Sequence, residues 1–243
     1  MNRLVRALAT TAVTATFLIA CSTTQPGGFA KVDPFKELAS ITASSAGSWT
    51  MDPPSLTGAL PNTTYTLYGE GKKVIVSAPL SDLVLAGHFT SSEVFSSTIW
   101  ADDDSSKQVG ENEPADTRIL HLGFATNEVI ATGDGIAQPD HLVVSLTIMG
   151  AQDANAIGQS LIDIGETVLF LERPYAPSED NGWSVSLAGA LIGRLDPSGD
   201  ITFPILSRLQ QSSSSDTFSH VEDTTTLSVL RNAAAKPDAD VSL

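Results

Sequence analysis

The chain has a single cysteine among 243 residues, which excludes an internal disulfide, a zinc ribbon and a zinc finger. Basic side chains are scarce: 13 Lys and Arg stand against 28 Asp and Glu, for a formal charge of −15. Nucleic-acid binding needs a basic face to meet the phosphates, so this balance argues against a nucleic acid as partner. No segment repeats at a fixed period. Aromatic residues are few at 6%, yet 42% of the chain is hydrophobic, enough for a core and too much for a wholly disordered polypeptide.

What is present is most distinctive at the start. Arg3 and Arg6 give residues 1–6 a positive charge with no acid, and residues 7–20 follow as an uncharged, mostly apolar run. The run is long enough for the hydrophobic region of a signal peptide and too short for a spanning helix of ~20 residues. It ends in Leu18-Ile19-Ala20-Cys21, with Ser, Thr, Gln, Pro and Gly filling residues 22–28. This tetrapeptide resembles the lipobox of bacterial lipoproteins, and the chain's one cysteine occupies the required position. The resemblance implies cleavage before Cys21, transfer of diacylglycerol to its thiol, and a palmitate-bearing anchor in the cell membrane on the extracytoplasmic side. Two acyl chains, each burying ~0.8 kcal/mol per CH₂, hold a protein stably where one does not. An acidic body gains little from anionic headgroups, so the anchor would supply the attachment.

The organisation expected from this start is a signal peptide over 1–20, a lipidated flexible tether over 21–32, one β-rich domain over 33–235 and a disordered tail over 236–243. Asp33 before Pro34, with Glu37 in the first turn, predicts a short helix. Residues 42–63 read as loop, with Trp49 folded back on the core. From residue 64 short β-branched runs alternate with turn signals. Strands are expected at 64–68, 73–77, 83–89, 93–100, 118–124, 128–132, 141–149, 167–172, 183–187, 191–195 and 201–205. Val144, Leu146 and Ile148 share one face, whereas Val168-Leu169-Phe170-Leu171 is continuously apolar and suits a strand covered on both sides. Asp196-Pro197-Ser198-Gly199-Asp200 predicts a tight hairpin turn. Residues 102–114 read as a polar surface loop, and Asp223 as the cap of a closing helix through Leu227, Val229 and Leu230. Repeated helix-length amphipathic segments between strands are not evident, which argues against a parallel βαβ architecture. The expected fold is therefore mainly β, an antiparallel, closed or partly closed barrel with short N- and C-terminal helices.

A broader resemblance spans residues 80–235. Ser81-Asp82-Leu83-Val84-Leu85-Ala86-Gly87, later Gly165-Glu166-Thr167-Val168-Leu169-Phe170-Leu171, then the Gly193 to Asp200 hairpin and a helix at Thr226-Leu227-Ser228-Val229-Leu230, are similar to netrin-like, OB-type extracytoplasmic domains. That family includes protease inhibitors and binding modules. Its inhibitors act through a disulfide-linked N-terminal wedge, which this chain has no cysteines to build, so no inhibitory residue is carried over.

Catalytic signatures are few. Gly158-Gln159-Ser160-Leu161-Ile162 comes nearest to a nucleophile elbow but lacks the second glycine, leaving Ser160 as a loop hydroxyl. Gly69-Glu70-Gly71-Lys72-Lys73 lacks phosphate-loop spacing and reads as a hairpin turn. His88, His121, His141 and His220 form no paired motif, although the first three border apolar strands and could meet across a sheet as a metal site. Asp102, Asp103 and Asp104 with Glu111 and Glu113 lack the spacing of a calcium loop. Asp134, Asp196 and Asp200 read as turn residues. Trp49, Trp100 and Trp183 read as core. Cys21 is thus the one residue with an assigned chemistry, lipidation, and neither cofactor nor metal is called for. The expected function is a membrane-anchored lipoprotein acting as a non-catalytic binding or interaction module, its partner an envelope protein, polymer or small ligand. The alternative is a membrane-tethered hydrolase or metal-dependent enzyme with a site assembled from several strands.

Overall fold

A computed structural model describes residues 31–46, 55–63, 65–69, 72–76, 80–101, 105–138, 141–173, 182–212 and 221–236. The expected signal peptide, Cys21, most of the tether, Trp49, the Asp102 to Asp104 run, His220 and residues 237–243 lie outside the described residues.

The chain is mainly β. Helix α1 (Pro34–Ala46) begins as the sequence predicts: Asp33 Oδ1 accepts the N–H groups of Phe35 and Lys36 at 3.1 and 3.2 Å. It runs further than the short helix expected, into the stretch read as loop, because Leu38, Ile41 and Thr42 continue its buried face. Strands β1 (Tyr65–Gly69) and β2 (Lys72–Val76) pair antiparallel as a separate two-stranded sheet with Gly69 opposite Lys72, while Glu70 and Gly71, where the turn was expected, lie outside the described residues.

The remaining strands make one nine-stranded mixed sheet. They are β3 (Leu83–Trp100), β4 (Ser106–Gln108), β5 (Thr117–Thr132), β6 (Leu142–Met149), β7 (Thr167–Glu172), β8 (Trp183–Val185), β9 (Ile192–Leu195), β10 (Asp200–Thr202) and β11 (Thr224–Thr226). Two long strands replace four expected short ones. β3 continues through the polar Thr90-Ser91-Ser92, and β5 through Thr126-Asn127. Register shifts at Val84/Leu85, Ala86/Gly87, Phe89/Ser91 and Val94/Ser96 let the paired strands bend without breaking. Five pairings close on themselves: β3 with β5, β5 with β6, β6 with β8, β8 with β7, and β7 back to β3. The β6–β8 pair is parallel, so the antiparallel expectation is corrected at that one edge. A parallel pair needs an intervening crossover. Here it is the chain through α2 (Ala154–Ile162) and β7. β9, β10 and β11 extend outward from β7, and β4 folds back on the far end of β3 inside the segment read as loop.

Helix α2 overturns the reading of Ser160 as a loop hydroxyl. Asp153 caps the helix by accepting the Ala156 N–H at 3.0 Å, and Ala154, Ile157 and Leu161 give it a buried face. Helix α3 (Pro204–Ser212) displaces the end of the strand expected at 201–205. Helix α4 (Leu227–Ala234) is capped by Thr226, not by Asp223, whose carboxylate instead accepts the Ser207 hydroxyl. The alternation of β6 puts Leu142, Val144, Leu146 and Ile148 inside, where they meet Leu120, Leu122, Phe89 and Phe170. Helices α1, α2 and α3 add Phe35, Leu38, Ile157, Leu161, Ile205 and Leu206 to the same cluster. Each such side chain contributes about 1.5–3 kcal/mol by leaving water.

Candidate functional site

The three described histidines do not converge. His88 lies on β3 with Nδ1 3.7 Å from Glu166 Oε1, and Glu166 is held by the Asn127 side-chain amide at 2.9 and 3.1 Å. His121, on β5, stacks on Phe95 of β3 with ring centroids 4.1 Å apart. His141 lines a polar cavity of about 560 Å³ with Thr90, Ser91, Gln138 and Thr126. Among the described residues no group of three His, Cys, Asp or Glu side chains is arranged to hold a metal. Glu111 and Glu113 take up local contacts, with the Asn155 amide and the Gly110 N–H. Asp196 accepts the N–H groups of Ser198 and Asp200, as a turn residue should. Asp134 engages Asn62 across the mouth of its own turn. Trp183 packs against the core, but Trp100 at the end of β3 is 55% exposed, contrary to the expectation of burial.

One carboxylate pair is brought together that no spacing in the sequence marks. Glu172 at the end of β7 faces Asp82 at the start of β3. Burial pushes the Glu172 carboxyl above the usual carboxylate range, the Leu187 N–H acts in the opposite sense, and the neighbouring Asp82 charge raises it further. The Ser186 hydroxyl already donates to the Leu80 carbonyl at 2.7 Å. Asp82 in turn accepts the Arg173 N–H at 2.9 Å and lies 3.7 Å from its guanidinium. Beside them the chain turns through Leu187 (φ 55°) and Ala188 (φ 48°), two non-glycine residues in the left-handed region. Such residues store about 1–3 kcal/mol each and persist only where neighbours hold them. Thr42 of α1 donates to the Ala188 carbonyl at 2.8 Å.

A second cavity, of about 580 Å³, opens where the start of α1, the end of α2, β9, β10 and the start of α3 meet. Arg194, Arg208, Ser160 and Lys31 line it. Sequence reasoning passed over all of these except Ser160, and each alone is an unremarked polar residue.

The chain matches no known family profile, no curated protein and no solved structure. No described helix is long and apolar enough to cross a membrane.

Proposed function

We propose that this chain is a membrane-anchored extracytoplasmic lipoprotein whose β body is a non-catalytic binding module of OB-like type. The observation that carries the anchor is Cys21, the only cysteine, standing directly after a 14-residue uncharged run behind two arginines. The OB-like reading is supported by strand order. The five ring strands run β3, β5, β6, β7, β8 in the chain, a helix lies between the third and fourth, and the third and fifth pair in parallel. An OB-type barrel has that connectivity. Two surface cavities of ligand-pocket size support a binding role over a purely structural one.

The experiment follows the sulfur. Cells labelled with radioactive palmitate should incorporate it into the parent chain. Cys21→Ser should abolish the label and leave either uncleaved precursor or protein released to the medium. A cleaved Cys21→Ser chain retained in the membrane defeats the anchor.

The second reading, a tethered hydrolase, is favoured by one observation: Glu172 and Asp82 adjoin beside a strained turn, an arrangement that active sites often share. Loss of an envelope-hydrolase activity in Glu172→Gln, with folding intact, would promote it.

A further inference from the structure

We infer that the cavity between α1, α2, α3 and the β9–β10 hairpin is a binding site for a ligand carrying a phosphate or carboxylate group, with Arg194 and Ser160 as its principal contacts. The inference deepens the binding-module reading and does not depend on lipid at Cys21.

Three observations meet there. Arg194, on β9, points no hydrogen bond or ion pair at any described residue, although its neighbours Thr167 and Thr202 are its strand partners. A guanidinium fork is shaped for bidentate contact with a phosphate or carboxylate. Ser160 lines the same cavity, is 8% exposed, and its hydroxyl has no partner among the described residues. Buried hydroxyls are almost always hydrogen-bonded, so an unused one on a cavity wall has a donor to offer. Lys31 brings a second cation without a partner among the described residues.

The remaining charges are already spent. Arg208 is paired with Asp33, which also caps α1, and Asp163 accepts the Gln159 side-chain amide at 3.1 Å. The cavity wall thus carries three cations against two engaged carboxylates, in a chain whose formal charge is −15. Such a local reversal of sign draws an anion to this place and away from the rest of the surface. A volume of about 580 Å³ takes a small molecule or a single lipid headgroup.

The full chain bearing Cys21→Ser, so that no acyl chain interferes, is titrated calorimetrically with inorganic phosphate and with glycerol 3-phosphate. In parallel it is sedimented with phosphatidylcholine vesicles containing or lacking one-quarter phosphatidylglycerol. Binding of the soluble phosphates identifies a free ligand as source, whereas binding only to vesicles with phosphatidylglycerol identifies a headgroup. In either case Arg194→Gln should weaken binding about tenfold, the value of one charge-assisted contact. Ser160→Ala should weaken it several-fold with circular dichroism unchanged. Arg194 is exposed, so its variant tests the site without threatening the fold. No binding in any arm, or binding that Arg194→Gln leaves within twofold, overturns the inference. The palmitate experiment reads neither result, so failure of the anchor and failure of this site are separate outcomes.

Discussion

Gly87 is the position on which closure of the strand ring depends most directly. It is paired on one edge with Thr126 of β5 and on the other with Thr167 of β7. A Cβ built there would stand 2.0 Å from the Ala125 carbonyl oxygen and 2.8 Å from a Phe124 ring carbon. Relief requires the β3 backbone to withdraw by roughly 1 Å, since carbon and oxygen do not approach much below van der Waals contact. Withdrawal from β5 drives β3 into β7, and the obstructing atom is backbone, so no rotamer change relieves it. Overpacking of this kind costs about 3 kcal/mol. Gly87→Ala should therefore lose about 3 kcal/mol in urea unfolding and about 6–12 °C in Tm for a chain of this size.

Gly158 supplies the control. A Cβ added there would meet neighbours just as closely, 1.9 Å from Ser92 Oγ and 2.7 Å from Ser92 Cβ, but those atoms belong to a side chain. Gly158→Ala should cost less, about 1–2 kcal/mol once the better helix propensity of alanine is credited. Adding Ser92→Gly removes both obstructing atoms, and with them a buried hydroxyl that has no partner among the described residues, so the double variant should recover at least about 1 kcal/mol. Gly87→Ala within about 1 kcal/mol of the parent would refute the close double-sided pairing of β3, and with it the ring.

Glu172→Gln tests the buried carboxyl. Because the folded-state pKa is raised, the native state holds its proton more tightly, so stability is greatest in acid and falls as pH rises from the unfolded carboxyl value through the folded one. The glutamine variant should have the higher Tm at neutral pH, the difference closing below about pH 4; an equal or lower Tm at neutral pH would mean that burial does not dominate. Arg118 is 8% exposed and donates to the Ser97 hydroxyl and to the Glu113 carbonyl at 2.7 Å, tying β5 to β3 and to the chain ahead of it. Arg118→Met keeps the bulk and leaves both acceptors unpaired, which should cost about 2 kcal/mol in urea unfolding; a neutral result would show that water replaces the guanidinium.

Legibility in the sequence followed the range of the forces involved. The Asp33 cap, the Asp196 turn, the alternation of β6 and the unbroken apolar run of β7 are each decided within a few residues, and each formed where the pattern put it. The misread elements are those where a local rule was outvoted. Thr90-Ser91-Ser92 looks like a strand break because it is polar, yet it sits at a bulge where a long strand bends and needs small side chains. Helix α2 had its signals, Asp153 as cap and Ala154, Ile157 and Leu161 on one face, but Gly158 in its middle spoke against it. That glycine is explained only by Ser92, far earlier in the chain, whose side chain leaves no room for a Cβ.

The same distinction governs the sites. The lipidation proposed at Cys21 rests on sequence alone because a lipobox, where one acts, is read by an enzyme from a continuous stretch of chain, so the recognised pattern and the sequence pattern would be the same object. Glu172 and Asp82, or Arg194, Ser160 and Lys31, gain their interest from what surrounds them: a carboxyl made reluctant to ionise by burial, and a guanidinium without a counter-ion and a hydroxyl without an acceptor among the described residues. None of these is a property of a residue type or of its spacing. With 28 acids and 13 bases distributed along 243 residues, many pairs match any spacing rule, and most end as Asp196 or Glu113 do, spent on a nearby backbone N–H. What selects the few that remain available for a ligand is the pairing of all the others, and that is settled only when strands distant in the chain are brought edge to edge.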